Sequence, residues 1–263
     1  MSQIVYATLA GAAFRRNLVY VWAHMATNLG SALFGLIYMA LWQAADRGRT
    51  LAGWSPHMFA QYIALSQFVL WVSTFIMPYL GIDQQIRSGQ VALELVRPVG
   101  YLPRMLAAGA GEVLYNILFR SLPMALMFTA LGVFPWERLA QPAVLLETLA
   151  ALGLCGLMGL LIQYLSGMAA FWTVEPRWAR RVFFALVMAA GGQLLPLFLL
   201  PLWARAVVQW LPFQTLVWLP VAVWLGRAQP GDWISAISWG VAMCALAAVV
   251  TLRAYRKLEV QGG

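Results

Sequence analysis

Charge is the scarcest commodity in this chain. Only 10% of its 263 residues are Asp, Glu, Lys or Arg, against about a quarter in a soluble domain, and the acids number nine. With 62% hydrophobic residues and a mean hydropathy of +0.76, that shortage excludes a soluble globular domain and leaves an integral membrane protein. Lysine is nearly missing as well. The single one, Lys257, is followed by Leu258, so the Gly-Lys-Ser/Thr ending of a phosphate-cradling Walker loop is absent and ATP hydrolysis by that route is excluded. Two cysteines, Cys155 and Cys244, lie in apolar runs, where a small apolar filler is the ordinary role, and they say nothing about compartment. Two histidines, His24 and His57, stand far apart without acids or cysteines at metal-ligand spacing. Neither a metal nor a cofactor is expected on this chain.

The formal charge of +8 comes from short basic clusters at the ends of apolar segments, which is a topology signal and not a nucleic-acid patch. A barrel would alternate apolar and polar residues in segments of about ten. Runs such as Ala143 to Leu165 are apolar nearly all round, so the fold class is all-α, one polytopic domain over residues 1–263. No basic region precedes the first apolar run, and Arg15 and Arg16 come too late for a cleavable signal, so the first span is expected to be retained.

Residues 1–18 are too short and interrupted to cross, since a crossing helix needs about 20 apolar residues, and read as an interfacial helix. Spans follow at roughly Val21–Ala44, His57–Leu80, Met105–Val133 and Ala143–Trp172. Ser55-Pro56 is a helix-start signal for the second, with Ser able to cap and Pro favoured at the first helical position. The fourth is longer than a bilayer requires and is expected to tilt or protrude. Val182–Pro201 is long enough to cross once, and Ile234–Leu252 closes the set. Between these two lies Leu202–Gly226, also apolar. The tail carrying Arg253, Arg256 and Lys257 belongs on the same side as Arg177, Arg180 and Arg181, so an even number of crossings separates them. Residues 202–226 therefore enter and leave by one face, and Pro212 and Pro220 break them into pieces too short to cross. Six spans with both termini cytosolic put eleven Lys or Arg inside, five outside and Arg120 within a span.

Against this apolar background Gly81–Arg104 is a polar island with Asp83, Glu94, Arg87, Arg97 and Arg104. Read as one helix from Ile82 to Val96, it gathers Ile82, Ile86, Gly89, Leu93 and Val96 in an apolar stripe and Asp83, Arg87, Gln90 and Glu94 opposite. Two uses fit that pattern: a helix resting on the membrane surface, and a helix docking its polar face on a soluble partner. Within the third span Glu112, Asn116 and Arg120 recur every four residues on one side. They fit either a structural polar cluster between helices or the lining of a substrate route. The thirteen tryptophans, among them Trp42, Trp54, Trp136, Trp172 and Trp233, cluster near span ends as an aromatic belt.

Taken together, Ser88-Gly89-Gln90 leading through Leu93 and Leu95 into Arg97-Pro98-Val99, Phe171-Trp172, Leu211-Pro212-Phe213, Pro220, Gly226 and the closing Val260-Gln261-Gly262-Gly263 resemble a known family. It is that of the membrane-spanning permease subunits of type-two ATP-binding-cassette exporters, in the bacterial branch whose operons usually encode two different permeases. The likeness runs over essentially the whole chain.

The resemblance implies a cytosolic loop after the second span that docks in a groove of a separate ATPase subunit, which binds the ATP and magnesium. It also implies a second permease subunit, the same or a cousin, in a bacterial cytoplasmic (inner) membrane whose lipid surrounds both. Carried over, Asp83, Arg87, Gln90, Glu94 and Arg97 (within residues 81–104) are the coupling contacts, and Pro212, Phe213 and Pro220 belong to an outer gate. Substrates suggested for the branch include hydrophobic or cationic toxic compounds. An ion- or proton-coupled secondary transporter acting without an ATPase is the alternative, and it predicts inverted repeats and mid-membrane acids that are not clearly present. A membrane enzyme would need a convergent acid/base or nucleophile set, which is not visible.

Overall fold

A computed structural model describes residues 2–46, 53–73, 80–95, 97–173 and 177–261. Residues 47–52, between the first two expected spans, 74–79 of the expected second span, and 174–176, just after the fourth, lie outside the described residues. Val96 and the closing Gly262-Gly263 do as well.

The described residues form helices and no strand. Helices α1 (Ser2–Leu18), α2 (Val21–Asp46) and α3 (Pro56–Val72) precede two short helices, α4 (Ile82–Arg87) and α5 (Gln90–Leu95). Helix α6 (Tyr101–Asn116) continues through a π turn, Ile117–Ser121, into α7 (Leu122–Ala130). Then come α8 (Pro142–Met168), α9 (Arg177–Ala190), α10 (Leu202–Val208), α11 (Trp218–Trp224) and α12 (Pro230–Gln261). Four helical stretches among the described residues are long and apolar enough to cross a membrane: Val21–Ala44, Tyr101–Ala130, Pro142–Phe171 and Pro230–Lys257.

Helix α3 starts as the sequence signals: Ser55 Oγ accepts from the Met58 amide at 3.3 Å and Pro56 opens the helix. Nearly every residue from Phe59 to Val72 is buried, as is every residue of α11. A helix apolar all round belongs in the middle of a bundle, and α3, α11 and α8 form that middle, while α2 keeps Leu29, Leu33, Ile37 and Leu41 exposed. Helix α1 lies against α6. The Ala10 carbonyl occupies the place of a side chain at Gly111, so only glycine lets the two backbones approach this closely.

Two ends can be told apart. At one, Ile82 meets Gly167, Tyr101 meets Tyr164 at 6.1 Å between ring centroids, the Tyr164 and Thr251 hydroxyls share a hydrogen bond of 2.5 Å, and Lys257 reaches Phe171. At the other, Trp54 stacks on Phe198 at 4.3 Å, Trp224 Nε1 donates to the Pro135 carbonyl at 3.0 Å and Trp218 Nε1 donates to Asp232 Oδ1 at 3.3 Å.

Two expectations are corrected here. The island is not one helix from Ile82 to Val96, because Gly89 takes φ +74° after the Ser88 cap and ends α4 before α5 begins. The periodicity of α4 therefore does not carry into α5, where Val91 and Leu95 are buried while Leu93 is 70% exposed. Nor is Val182–Pro201 one helix. Helix α9 stops at Ala190, and Gly192 adopts φ +91° with its carbonyl accepting from Tyr62 Oη. A Cβ at Gly192 would lie 2.8 Å from that hydroxyl, so both dihedral and space demand glycine.

Candidate functional site

The polar island is an elbow braced from inside. Arg104, in the first turn of α6 and 4% exposed, donates from Nη1 to Glu94 Oε2 at 2.6 Å and from Nη2 to the Glu94 carbonyl. Arg97 Nη2 lies 2.8 Å from the other carboxylate oxygen. Tyr101 Oη donates to Gln85 Oε1 at 2.9 Å, tying α4 to the same helix start. Ile82 is fully buried against Gly167, whose added Cβ would sit 2.8 Å from the isoleucine Cβ. Of the five residues expected to make coupling contacts, Glu94 and Arg97 are thus engaged in an ion triad with Arg104. Asp83 is half-buried in the first turn of α4, where a carboxylate is favoured by the helix dipole. Arg87 and Gln90 are exposed. Arg87 also lines a shallow cleft of about 430 Å³ with Ile86 and residues 170–173 at the end of α8. The sequence placed Leu93 in the apolar stripe of a single helix, but the turn at Gly89 resets the phase of α5 and leaves it exposed.

The three polar residues of the third span do not act as one cluster. Glu112 pairs with Arg16 of α1, a contact 96 residues away in sequence. Arg120 sits in the π turn, 4% exposed, with its guanidinium 4.2 Å from the centroid of the Trp71 ring. An arginine at the middle of a membrane helix costs about 2.5 to 3.5 kcal/mol on insertion scales. A desolvated cation–π contact returns about 2 kcal/mol of that. Ser121 Oγ donates to the Phe68 carbonyl at 2.7 Å and pins the turn to α3. Asn116, one turn before Arg120, is 3% exposed. The same stretch is held to α2: His24 Nδ1 and Tyr115 Oη are 2.7 Å apart, and Asn28 donates to the Phe119 carbonyl at 3.0 Å.

Residues 202–226 are broken as the prolines dictate, into α10, a 3-10 turn Pro212–Leu216, and α11. Pro212 opens the 3-10 turn and Pro220 falls in the first turn of α11, where its missing N–H leaves no helix bond unmade. Pro212, Phe213 and Pro220 are all buried. The Leu216 carbonyl lies 3.2 Å from Cys155 Sγ, in the middle of α8. Arg205 and Gln209 from one end of the segment and Arg227 from the other line a single polar crevice of about 260 Å³ with Asp232.

A family model described as ABC-2 family transporter protein matches residues 31–262. The chain belongs to the ABC-2 transporter family. The elbow, the π turn and the proline-broken segment all lie within the matched residues, while α1 and the first turns of α2 lie before them. No curated protein and no solved structure matches the chain significantly. Among the described residues, no group of three or more His, Cys, Asp or Glu could hold a metal ion.

Proposed function

We propose that this chain is the transmembrane permease subunit of an ATP-driven exporter in a bacterial cytoplasmic membrane. It forms half of the substrate pathway and takes its driving force from a separate ATPase subunit. The observation that carries this reading is the braced elbow. A segment that transmits force must be stiff on the side facing its own bundle and present an exposed surface on the other. Arg104–Glu94–Arg97, Tyr101–Gln85 and Ile82–Gly167 supply the stiffness, and Arg87, Gln90 and Leu93 supply a mixed polar and apolar outer surface. ABC-2 membrane subunits generally work with an ATPase partner. That ATPase, carrying ATP and Mg²⁺, would dock on α4 and α5, and a second permease, identical or related, would complete the pathway.

In this reading six crossings are made by α2, by α3 with the residues up to 80, by α6–α7, by α8, by α9 with the residues up to 201, and by α12. Both termini are cytosolic. Residues 202–226 dip in and return on the outer side, which the shared crevice of Gln209 and Arg227 supports, and Pro212, Phe213 and Pro220 shape the outer gate. Purification of the chain with its neighbouring gene products tests the reading. Co-isolation of an ATPase, and ATP-dependent accumulation of substrate in inverted vesicles, are expected; transport by this chain alone, driven by an ion gradient, would refute it.

A further inference from the structure

Arg120 brings into the bundle a positive charge that the Trp71 ring faces but that no acid among the described residues pairs with. The ion pairs formed there join Arg16 to Glu112 and Glu94 to both Arg97 and Arg104. Arg120 Nε is buried without a hydrogen-bond partner, and so are two further donors, Asn116 Nδ2 four residues earlier in sequence and the indole Nε1 of Trp71, whose ring carries the guanidinium. All three side chains are more than nine-tenths buried. Gln67, one turn from Trp71, leaves its own carbonyl oxygen unpartnered and so is not the missing acceptor. Three orphaned N–H donors, one of them cationic, call for oxygen acceptors that carry negative charge. The π turn that places Arg120 here is of a kind that recurs at functional sites.

We propose that Arg120, Asn116 and Trp71 form a binding site for a monoanionic oxyanion, a carboxylate or phosphodiester, borne by an amphiphile. One guanidinium balances one negative charge. A dianion would leave a net charge stranded in a low-dielectric interior. The buried residues of α3 and α7 are mostly apolar, so the anion is favoured when it arrives attached to a hydrocarbon body. As a statement about cargo this rests on the transport reading above. As a statement about binding it needs no ATPase, so the two can fail separately.

The test uses the purified full-length chain. In uncharged detergent it is titrated with radiolabelled dodecanoate. In nanodiscs of phosphatidylcholine with a minor fraction of phosphatidylglycerol, retained lipid is counted by native mass spectrometry. One saturable anion per chain is expected in at least one arm. Affinity falls about tenfold or more in Arg120→Gln, as expected for losing a charged hydrogen-bond donor, and less in Arg120→Lys. Trp71→Phe keeps the ring under the cation but removes the indole N–H, and is expected to weaken binding several-fold, so the proposal stays testable even if Arg120→Gln fails to fold. Binding of dodecanoate alone identifies a free amphiphile, and binding of phosphatidylglycerol alone a membrane lipid; either supports the site. Equal retention by wild type and Arg120→Gln in both arms, or unchanged affinity in Trp71→Phe, overturns it.

Discussion

Lys257 donates from Nζ to the carbonyl oxygen of Phe171 at 2.6 Å, joining the last helix to the end of α8. The cation also stands 5.9 Å from the Trp172 ring centroid, beside the cleft that Arg87 lines from α4. The elbow packs on the end of α8, and the end of α8 is tied in turn to the end of α12.

Arg104→Ala is expected to loosen that elbow without preventing membrane insertion. It removes two hydrogen bonds to Glu94, which keeps Arg97. Loss of bonds to a charged group costs about 1.5 to 3 kcal/mol locally. Amide hydrogen exchange over α5 should accelerate by at least tenfold, and unchanged exchange would show that the brace is not what orders the segment.

Charge reversal at Arg87, or Leu93→Asp, is expected to abolish co-purification of the ATPase, or to leave ATP hydrolysis running without transport. Folded yield should stay normal, since both side chains lie on the outside of the elbow. Wild-type coupling in both variants would remove α4 and α5 from the docking surface.

Gly111→Ala is expected to lower the thermal midpoint of the detergent-solubilised protein, because the new Cβ overlaps the Ala10 carbonyl and α1 must separate from α6. Overpacking of this kind costs about 1 to 3 kcal/mol. Gly153→Ala is the control: its Cβ meets nothing within 4 Å, and its midpoint should not fall. Equal midpoints for the two variants would mean that α1 contributes little to the fold.

Topology can be read by cysteine labelling after Cys155 and Cys244 are replaced. Cysteines at Gln209 and Arg227 should both react with an impermeant maleimide from outside the cell, and one at Ser88 only in inverted membranes. Opposite sidedness at positions 209 and 227 would make residues 202–226 a crossing.

Much of the fold was legible because membrane insertion writes itself into composition. The helix start at Ser55-Pro56 and the break at Pro212 stand where the sequence places them, while Pro220 falls inside the first turn of α11 and does not break it. Two features were hidden for different reasons. In the island, Gly89 was counted as part of an apolar stripe, although it is the hinge that ends one helix and re-aims the next. At the candidate sites, the deciding partners are remote in sequence: Arg16 for Glu112, and Trp71 for Arg120. Spacing along one helix showed that the polar residues share a side, but not that the side divides between two neighbours.

The π turn at Ile117–Ser121 amounts to one surplus residue in an otherwise α-helical crossing. Past it, every side chain is set back in azimuth by about 100° from the position that α-helical counting from Tyr101 assigns. Met124, Ala125 and Phe128 are the residues turned toward the core there. Deleting a single residue within the turn would restore regular winding while swinging either Arg120 or this outer face out of place. The crossing thus obeys two helical wheels joined at Arg120, and length variation among related chains should be forbidden at this point even where sequence is free to drift.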